Sequence, residues 1–405
     1  MKIVFIIDQY LPETSAPSRR ISGLAENLVS LGHNVEVVCP FADYIDGKKR
    51  KKWLTSFHKV EVVNGVTVHR TFAVPFCNGG TIRRLLNHYS FRYSSKRVKL
   101  NNPDVVIAST PPLISCKSSV KIAKKYKAKL VLDVRDIWPE VAIEMGSFTK
   151  DSFKAKSFSK IAEYLYKNAD LITTVSNNKI NTLDNRLSKY NKRAILISNG
   201  VDDFFLKLPT DENFLKEFEF DKYFSIIHVG KVGNAQDLDS FLELAKKSLS
   251  NNKFRFFIIG DGVQMQHILK RIENEKITNV IYCGKRNIQE CVTAYRFSKL
   301  SYISLVNENL KDSVPTKLYE TLFAGCPCLL SACGESADVV NESKLGYCSK
   351  PGDLKSLFAN FERATTKYDE LIKNKDYCFQ YINNNFNRKN ISVLLEKEIN
   401  KLLCQ

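Results

Sequence analysis

Asp312, Lys317 and Glu320 are the residues whose types and spacing carry the most chemistry, within the stretch DSVPTKLYETLFAGCPCLL that runs from Asp312 to Leu330. Two acids and a lysine around one helix N-terminus suit a diphosphate with a sugar at each end. Pro315 lacks an N–H and pre-sets its φ, which predicts a helix whose first turn contains it, running to about Phe323 with Gly325 beyond its end. The free N–H groups of that turn and the positive end of the helix dipole favour an anion such as pyrophosphate. Lys317 adds a full charge there, and Glu320, on the same helix face, can accept hydrogen bonds from two ribose hydroxyls. Asp312, just upstream, can reach the hydroxyls of a transferred sugar. A surface helix with a solvated charged face is the competing explanation.

The elements that must position these groups are legible from hydrophobic patterning. Short apolar runs alternate with amphipathic segments, as in βα repeats around parallel sheets. Strands are expected at Lys2–Ile7, Val35–Val38, Asp104–Ala108, Leu130–Asp133, Leu171–Thr174 and Ala194–Ile197, and then at Phe224–His228, Phe254–Ile259, Val280–Tyr282, Leu300–Leu305 and Cys328–Leu330. A helix from Ser18 to Leu31 would bury Ile21, Leu24, Leu28 and Leu31 on one stripe. Asn64-Gly65, flanked by alternating apolar residues, signals a β-hairpin. Turn formers and acids interrupt the pattern at residues 197–214, which predicts domains over 1–205 and 206–375 with a helical segment over 376–405 that can cross back to the first domain. Ile391, Leu394, Leu395, Ile399 and Leu402 or Leu403 would form the buried stripe of that segment.

Open α/β sheets bind ligands beyond the carboxyl ends of their strands, so the following loops are the places to search. The first loop carries Ser15, Ser18, Arg19 and Arg20, with small residues and hydroxyls that allow a ligand close. After Phe224–His228, Gly230 and Gly233 let the backbone approach a phosphate, and Lys231 can neutralise it. Gly260 stands in the tight turn Gly260-Asp261-Gly262. The strand at Leu130 ends in Asp133-Val134-Arg135-Asp136-Ile137-Trp138-Pro139-Glu140, whose three carboxylates, guanidinium and indole are costly to bury without a use. A structural salt-bridge network is the alternative.

Composition bounds the partners. The chain has 405 residues, a formal charge of +18 and 44% hydrophobic residues, enough for two or three domains with sizeable cores. The charge implies an anionic partner: diphosphate substrates, anionic lipid or nucleic acid. It concentrates in Lys48-Lys49-Arg50-Lys51-Lys52, beside Trp53, Leu54 and Phe57, and in Arg83, Arg84, Arg92, Lys96, Arg97 and Lys99, among Leu85, Leu86, Tyr89, Phe91 and Tyr93. Basic runs with interleaved aromatics suit an anionic membrane surface. Nucleic acid ranks below it, since no helix-turn-helix, RNP-like or zinc-finger pattern is present. No apolar run approaches the roughly 18 residues of a membrane span, and Asp8 breaks the opening apolar run, so the start reads as a strand and the protein is expected in the cytoplasm. Eleven cysteines are scattered through predicted elements, which suggests buried thiols, and Cys326, Cys328 and Cys333 match no common zinc spacing.

With these loops in order, the chain resembles the GT-B glycosyltransferases, and within them glycosyltransferase family 4, through the segments SRRISGLAENLVSLGHNVEVV, VRDIWPE, ADLITTVS, ISNGVD, the GDG turn and PTKLYETLFAGCP. It looks most similar to the bacterial O-antigen and capsule branch that transfers amino-deoxy sugars such as N-acetylfucosamine. The resemblance implies two Rossmann-like, doubly wound parallel-sheet domains facing a central cleft. It implies a retaining transfer from a nucleotide sugar, with uridine diphosphate favoured, to a polyprenyl-diphosphate-linked glycan at the inner face of the cytoplasmic membrane. No cofactor and no metal are expected, because cationic groups stand where other folds use a divalent ion. Asp312 and Glu320 match the family's paired acids, with aspartate where glutamate is usual. Lys317 and Lys231 fall at basic positions around the diphosphate, and Gln236 replaces a partnering lysine. Gly284 precedes Arg286, which the resemblance sets beside the base edge. Arg135 and Asp136 fall in the acceptor or donor-sugar site, Trp138 with them, and Ser15-Ala16-Pro17 replaces a glycine pair. Two other function classes fit the residues: a non-catalytic sugar-nucleotide-binding subunit, and a nucleic-acid-binding protein.

Overall fold

The computed structural model describes residues 1–13, 15–42, 44–45, 48–49, 57–75 and 80–404, with the backbone alone at 44–45 and 48–49. The basic run at 48–52, with Trp53 and Leu54, therefore lies outside the described side chains. The chain forms two compact units, one made of 1–199 with 388–405 and the other of 200–387. The expected junction at 205/206 lies inside the second unit, as do residues 376–387 of the expected terminal segment.

The first unit is built on an eight-stranded sheet in the order Ala194–Leu196, Leu171–Thr174, Lys129–Val134, Val105–Thr110, Lys2–Ile6, Asn34–Pro40, Val66–Thr71, His58–Val63. All neighbours are parallel except the last pair, a hairpin that turns at Asn64-Gly65, where both residues take positive φ. The central strands read as continuous apolar runs because helices cover both faces. Val105–Thr110 is buried at every position. The helix Ala16–Ser30 is capped by Ser15, whose Oγ accepts from the Ser18 amide, and it buries Ile21, Leu24 and Leu28. Leu31 follows the helix end and is 36% exposed, so it leaves the expected stripe. The last helix, Arg388–Leu403, packs on this unit through Ile391, Leu395, Ile399 and Leu402, and Arg388 donates to the Asn199 carbonyl. Leu394 and Leu403 face outward.

The second unit holds six parallel strands in the order Val280–Gly284, Phe254–Ile259, Phe224–Val229, Leu300–Ser304, Cys328–Ser331, Gly346–Ser349. Its core is aromatic, with Phe220, Phe241, Phe256, Phe257 and Tyr302 fully or almost fully buried. Strand order reverses between Phe224–Val229 and Leu300–Ser304, and the loops beyond those two strands form the crevice where such sheets take ligands. Among the described residues no helix is long and apolar enough to cross a membrane, and no group of three histidine, cysteine or acidic side chains could hold a metal. Cys326 and Cys378 are buried thiols, pushed up to about 12 by burial.

Candidate functional site

The helix Thr316–Phe323 begins at Pro315, which sits just outside it as an extended N-cap, and ends before Gly325 in the left-handed region. No side chain caps its N-terminus. Lys317, on the first turn, folds back toward the crevice. A Cβ placed on Gly230 would lie 3.8 Å from both Lys317 Cδ and Lys317 Nζ. The ammonium is shut from solvent and has no hydrogen-bond partner. Burial lowers its pKa to about 8, against the opposing pull of Glu320. Beneath it lies His228, on the central strand and 0% exposed, whose ring nitrogens make no well-formed hydrogen bond. Burial first, and then the Lys317 charge, hold this imidazole neutral. A buried cation that no anion hydrogen-bonds is costly. A phosphate over Gly230 would supply that anion.

The glycines divide into two kinds. Gly260 has φ +142°, and a Cβ there would lie 1.8 Å from the Gly230 carbonyl oxygen, so its missing side chain serves loop-on-loop packing. Gly262 is pressed equally hard against the Val232 carbonyl, at 2.1 Å. These contacts lock the Gly230 loop to its neighbour through Gly230 N–H to Ile259 O and Val232 N–H to Asp261 O. Gly230 itself, at φ +118°, stays open on the side facing Lys317. Gln236 accepts from the Gly233 amide at 3.1 Å and so shapes the loop. Lys231 is exposed in the same loop. Gly284, at φ +77°, ends the strand Val280–Gly284 and accepts from the Gly260 amide.

Asp312 and Glu320 are half-buried on either side of this helix start. Two residues not singled out from sequence hold the segment: Gly334, where a Cβ would lie 2.3 Å from the Lys311 carbonyl, and Ser336, which donates to Ser313 O at 2.7 Å. Arg286, expected beside a base edge, has partners of its own within the unit. It donates to Cys283 O, pairs with Glu290 at 3.1 Å and Glu217 at 3.3 Å, and stacks over Phe214 and Phe218. Its guanidinium is therefore already engaged in holding the loop.

In the first unit, Arg20, expected in the acceptor loop, lies deep in the fold. It is 1% exposed, and its donors are spent on Asp133 at 2.8 and 3.2 Å and on the carbonyls of Ile197 and Ser198. It ties strand ends together and has nothing left for an acceptor. Ser15 is occupied as a helix cap and donates to Gln9, and Ser18 is fully buried. Arg19 is half-buried on the same turn. Burial would raise the Asp133 carboxyl, but the Arg20 charge overrides it, and hydrogen bonds from Ser109 and Thr173 help to keep it ionised. Glu140 pairs with Arg186 at 2.9 Å. Trp138 packs with Phe148 and Phe158, 6.0 and 5.2 Å away, at the edge of the core, and its Nε1–H has no hydrogen-bond partner among the described residues. Of the cluster, Arg135 and Asp136 remain half-buried. Arg135 donates to Ser109 Oγ and Pro111 O, and burial lowers its pKa against the pull of Asp136 and Asp133.

A crevice at strand carboxyl ends, with a buried unpartnered cation beside glycine loops, is the kind of place where an open α/β sheet can take an anionic ligand. Residues 18–203 match the model described as Glycosyltransferase Family 4, and residues 209–377 match Glycosyl transferases group 1. The chain thus carries the two domain types of the GT-B glycosyltransferases. A probable glycosyltransferase, WbjE, from Pseudomonas aeruginosa is 22% identical over 62% of this chain. N-acetyl-alpha-D-glucosaminyl L-malate synthase from Bacillus anthracis is 23% identical over 49% of it. These alignments span 63% and 50% of the two relatives' own lengths. Among solved structures, sucrose-phosphate synthase from Thermosynechococcus elongatus superposes with a TM-score of 0.77 at 12% identity, covering 100% of this chain and 99% of its own. Anabaena HepE in complex with UDP and glucose gives 0.70 at 14% identity, covering 99% and 100%. Likeness at such identities establishes the fold.

Proposed function

We propose that this chain is a retaining glycosyltransferase that moves a sugar from a UDP-linked donor, an N-acetylated deoxy sugar being the first choice, to a lipid-linked glycan in O-antigen or capsule biosynthesis. The observation that carries this reading is the buried, unpartnered Lys317 ammonium beside Gly230. The UDP held by the similar fold of HepE supports it. In this reading the second unit binds the nucleotide, with Glu320 on the ribose, Asp312 on the donor sugar, and Gly230, Gly233, Gly260 and Gly284 shaping the phosphate loops. As the glycosidic bond breaks, charge grows on the leaving diphosphate, and Lys317, Lys231 and the helix N-terminus stabilise it. No divalent metal is then required. Attack comes from the same face, and the departing phosphate oxygen takes the acceptor hydroxyl's proton. Arg135 and Asp136 belong to the acceptor side.

The partner of the first unit is taken to be an anionic membrane, at the cytoplasmic face. The helix Thr81–Ser95 presents Ile82, Leu86, Tyr89 and Tyr93 to solvent, each more than half exposed, with Arg83, Arg84 and Arg97 beside them. Apolar side chains flanked by guanidinium groups suit the headgroup layer. Flotation with phosphatidylglycerol vesicles but not with phosphatidylcholine vesicles is the expected result.

Thermal-shift screening against UDP, GDP and ADP sugars tests the donor. A UDP sugar at a hundred times its Kd should stabilise the fold by about 2.7 kcal/mol through mass action. The same sugars should leave Lys317→Met unshifted. A chain that no nucleotide stabilises would sink the reading.

A further inference from the structure

The first unit has its own topological switch point. Lys2–Ile6 lies between Asn34–Pro40, reached through the helix Ala16–Ser30, and Val105–Thr110, which leads the other way through the helix Leu113–Tyr126. The crevice beyond these two strand ends is where a ligand is expected. Asp8 stands just past the first strand. One of its oxygens, Oδ2, lies 3.1 Å from Nδ1 of His88, on the helix Thr81–Ser95, and both side chains are largely buried. The other oxygen, Oδ1, is shut from solvent and accepts no hydrogen bond. At the end of the neighbouring strand, Thr110 Oγ1 is also buried without a partner. Asp8 acts electrostatically on the Cys116 thiol, as does Arg135.

The approach of His88 Nδ1, at ion-pair distance but without hydrogen-bond geometry, engages Oδ2 alone. A buried carboxylate oxygen left without a donor costs more than a neutral group in the same position, and it calls for a ligand O–H or N–H. A carboxylate accepts only, so it turns away anions, while a hydroxyl such as that of Thr110, at the end of the neighbouring strand, can both give and accept. Together these groups suit a neutral polyol. We propose that Asp8 and His88 form a recognition site for a hydroxyl of the acceptor sugar, with Asp8 Oδ1 accepting its hydrogen bond and His88 fixing the carboxylate. This rests on the glycosyltransferase reading, and no proton transfer is assigned to the pair.

Saturation-transfer NMR on the intact chain with UDP present, using free N-acetylglucosamine, galactose and rhamnose as probes, tests the site. At least one sugar should show transfer, and Asp8→Asn and His88→Gln should each reduce it at least tenfold while leaving the thermal shift by UDP unchanged. If one variant fails to fold, the other carries the test. Transfer to none of the sugars, or undiminished transfer in a folded variant, overturns the site. Absence of any shift by UDP in the unaltered chain overturns the glycosyltransferase reading first, and this one with it.

Discussion

Lys317 Nζ lies 3.8 Å from the position a Cβ would take on Gly230. The two residues are far apart in sequence and meet because Phe224–Val229 and Leu300–Ser304 are neighbours in the sheet. The loop after the first offers bare backbone, and the helix after the second delivers a charge to it. His228, neutral below, offers no counter-charge. A cation held this way in the ligand-free state is stability given up for binding.

Replacing Lys317 by methionine should therefore have opposite effects on fold and function. Lowering a lysine from 10.5 to about 8 corresponds to a cost on the order of 3 kcal/mol at neutral pH. Lys317→Met keeps the stem and removes the charge, so ligand-free Tm should rise while stabilisation by UDP disappears. Thermal unfolding with and without UDP checks both.

The same group sets a pH dependence. Its folded-state pKa lies below the unfolded value, so between about pH 8 and 10.5 the unfolded chain holds more protons, and ligand-free stability should rise with pH across that window. A bound diphosphate favours the charged form and raises the pKa, so UDP affinity should fall as pH climbs above about 8. Calorimetric titration of UDP at pH 7 and pH 9 should show weaker binding at the higher pH and proton uptake near pH 8.

What sequence could and could not disclose follows from the range of the interactions. The buried parallel strands were legible because both faces are covered and the residues run apolar, as in Val105–Thr110 and Phe224–Val229. Gly346–Ser349 was not, since an edge strand reading GYCS is short and only half-buried. Asn64-Gly65 declared its hairpin through local turn chemistry. The partners of Arg20 were hidden from the sequence because Asp133 and the carbonyls at 197 and 198 arrive from distant strands. His228, inside an apolar run, gave no local sign of the lysine above it.

The tie between Arg20 and Asp133 predicts a structural phenotype. Arg20→Met strands a buried carboxylate, which costs about 3–5 kcal/mol. Asp133 is held ionised by Arg20, so its stabilising contribution is present at neutral pH and lost as pH falls through its depressed folded pKa. Urea unfolding should show the loss for Arg20→Met at pH 7, with a smaller gap between variant and parent near pH 3.

Gly260 should tolerate no side chain. Its Cβ would fall 1.8 Å from the Gly230 carbonyl oxygen, backbone that cannot swing aside, and its φ of +142° is strained for any other residue. Gly260→Ala should destabilise by at least about 2 kcal/mol and displace the loop facing Lys317, lowering UDP affinity as well. Gly284→Ala is the control, because the Cβ there meets nothing within 4 Å and only the φ of +77° opposes it. Its cost should be about 1 kcal/mol, and equal losses in both variants would refute the packing argument.

Divalent metal should be dispensable for transfer. Lys317, on the helix, and Lys231, in the loop, both border the Gly230–Gly233 backbone where leaving-group charge would develop, and the first turn of Thr316–Phe323 has no side-chain cap competing for its N–H groups. Each cation near that diphosphate does part of what a bound Mg²⁺ does elsewhere. Turnover of the UDP sugar should therefore persist in EDTA, and Lys317→Met should lower it by two to three orders of magnitude, about 3–4 kcal/mol of transition-state stabilisation. Partial recovery of that variant by added Mg²⁺ would show the two charges acting at one place. Loss of activity in EDTA by the unaltered chain, restored by Mg²⁺, would mean that these lysines do not suffice.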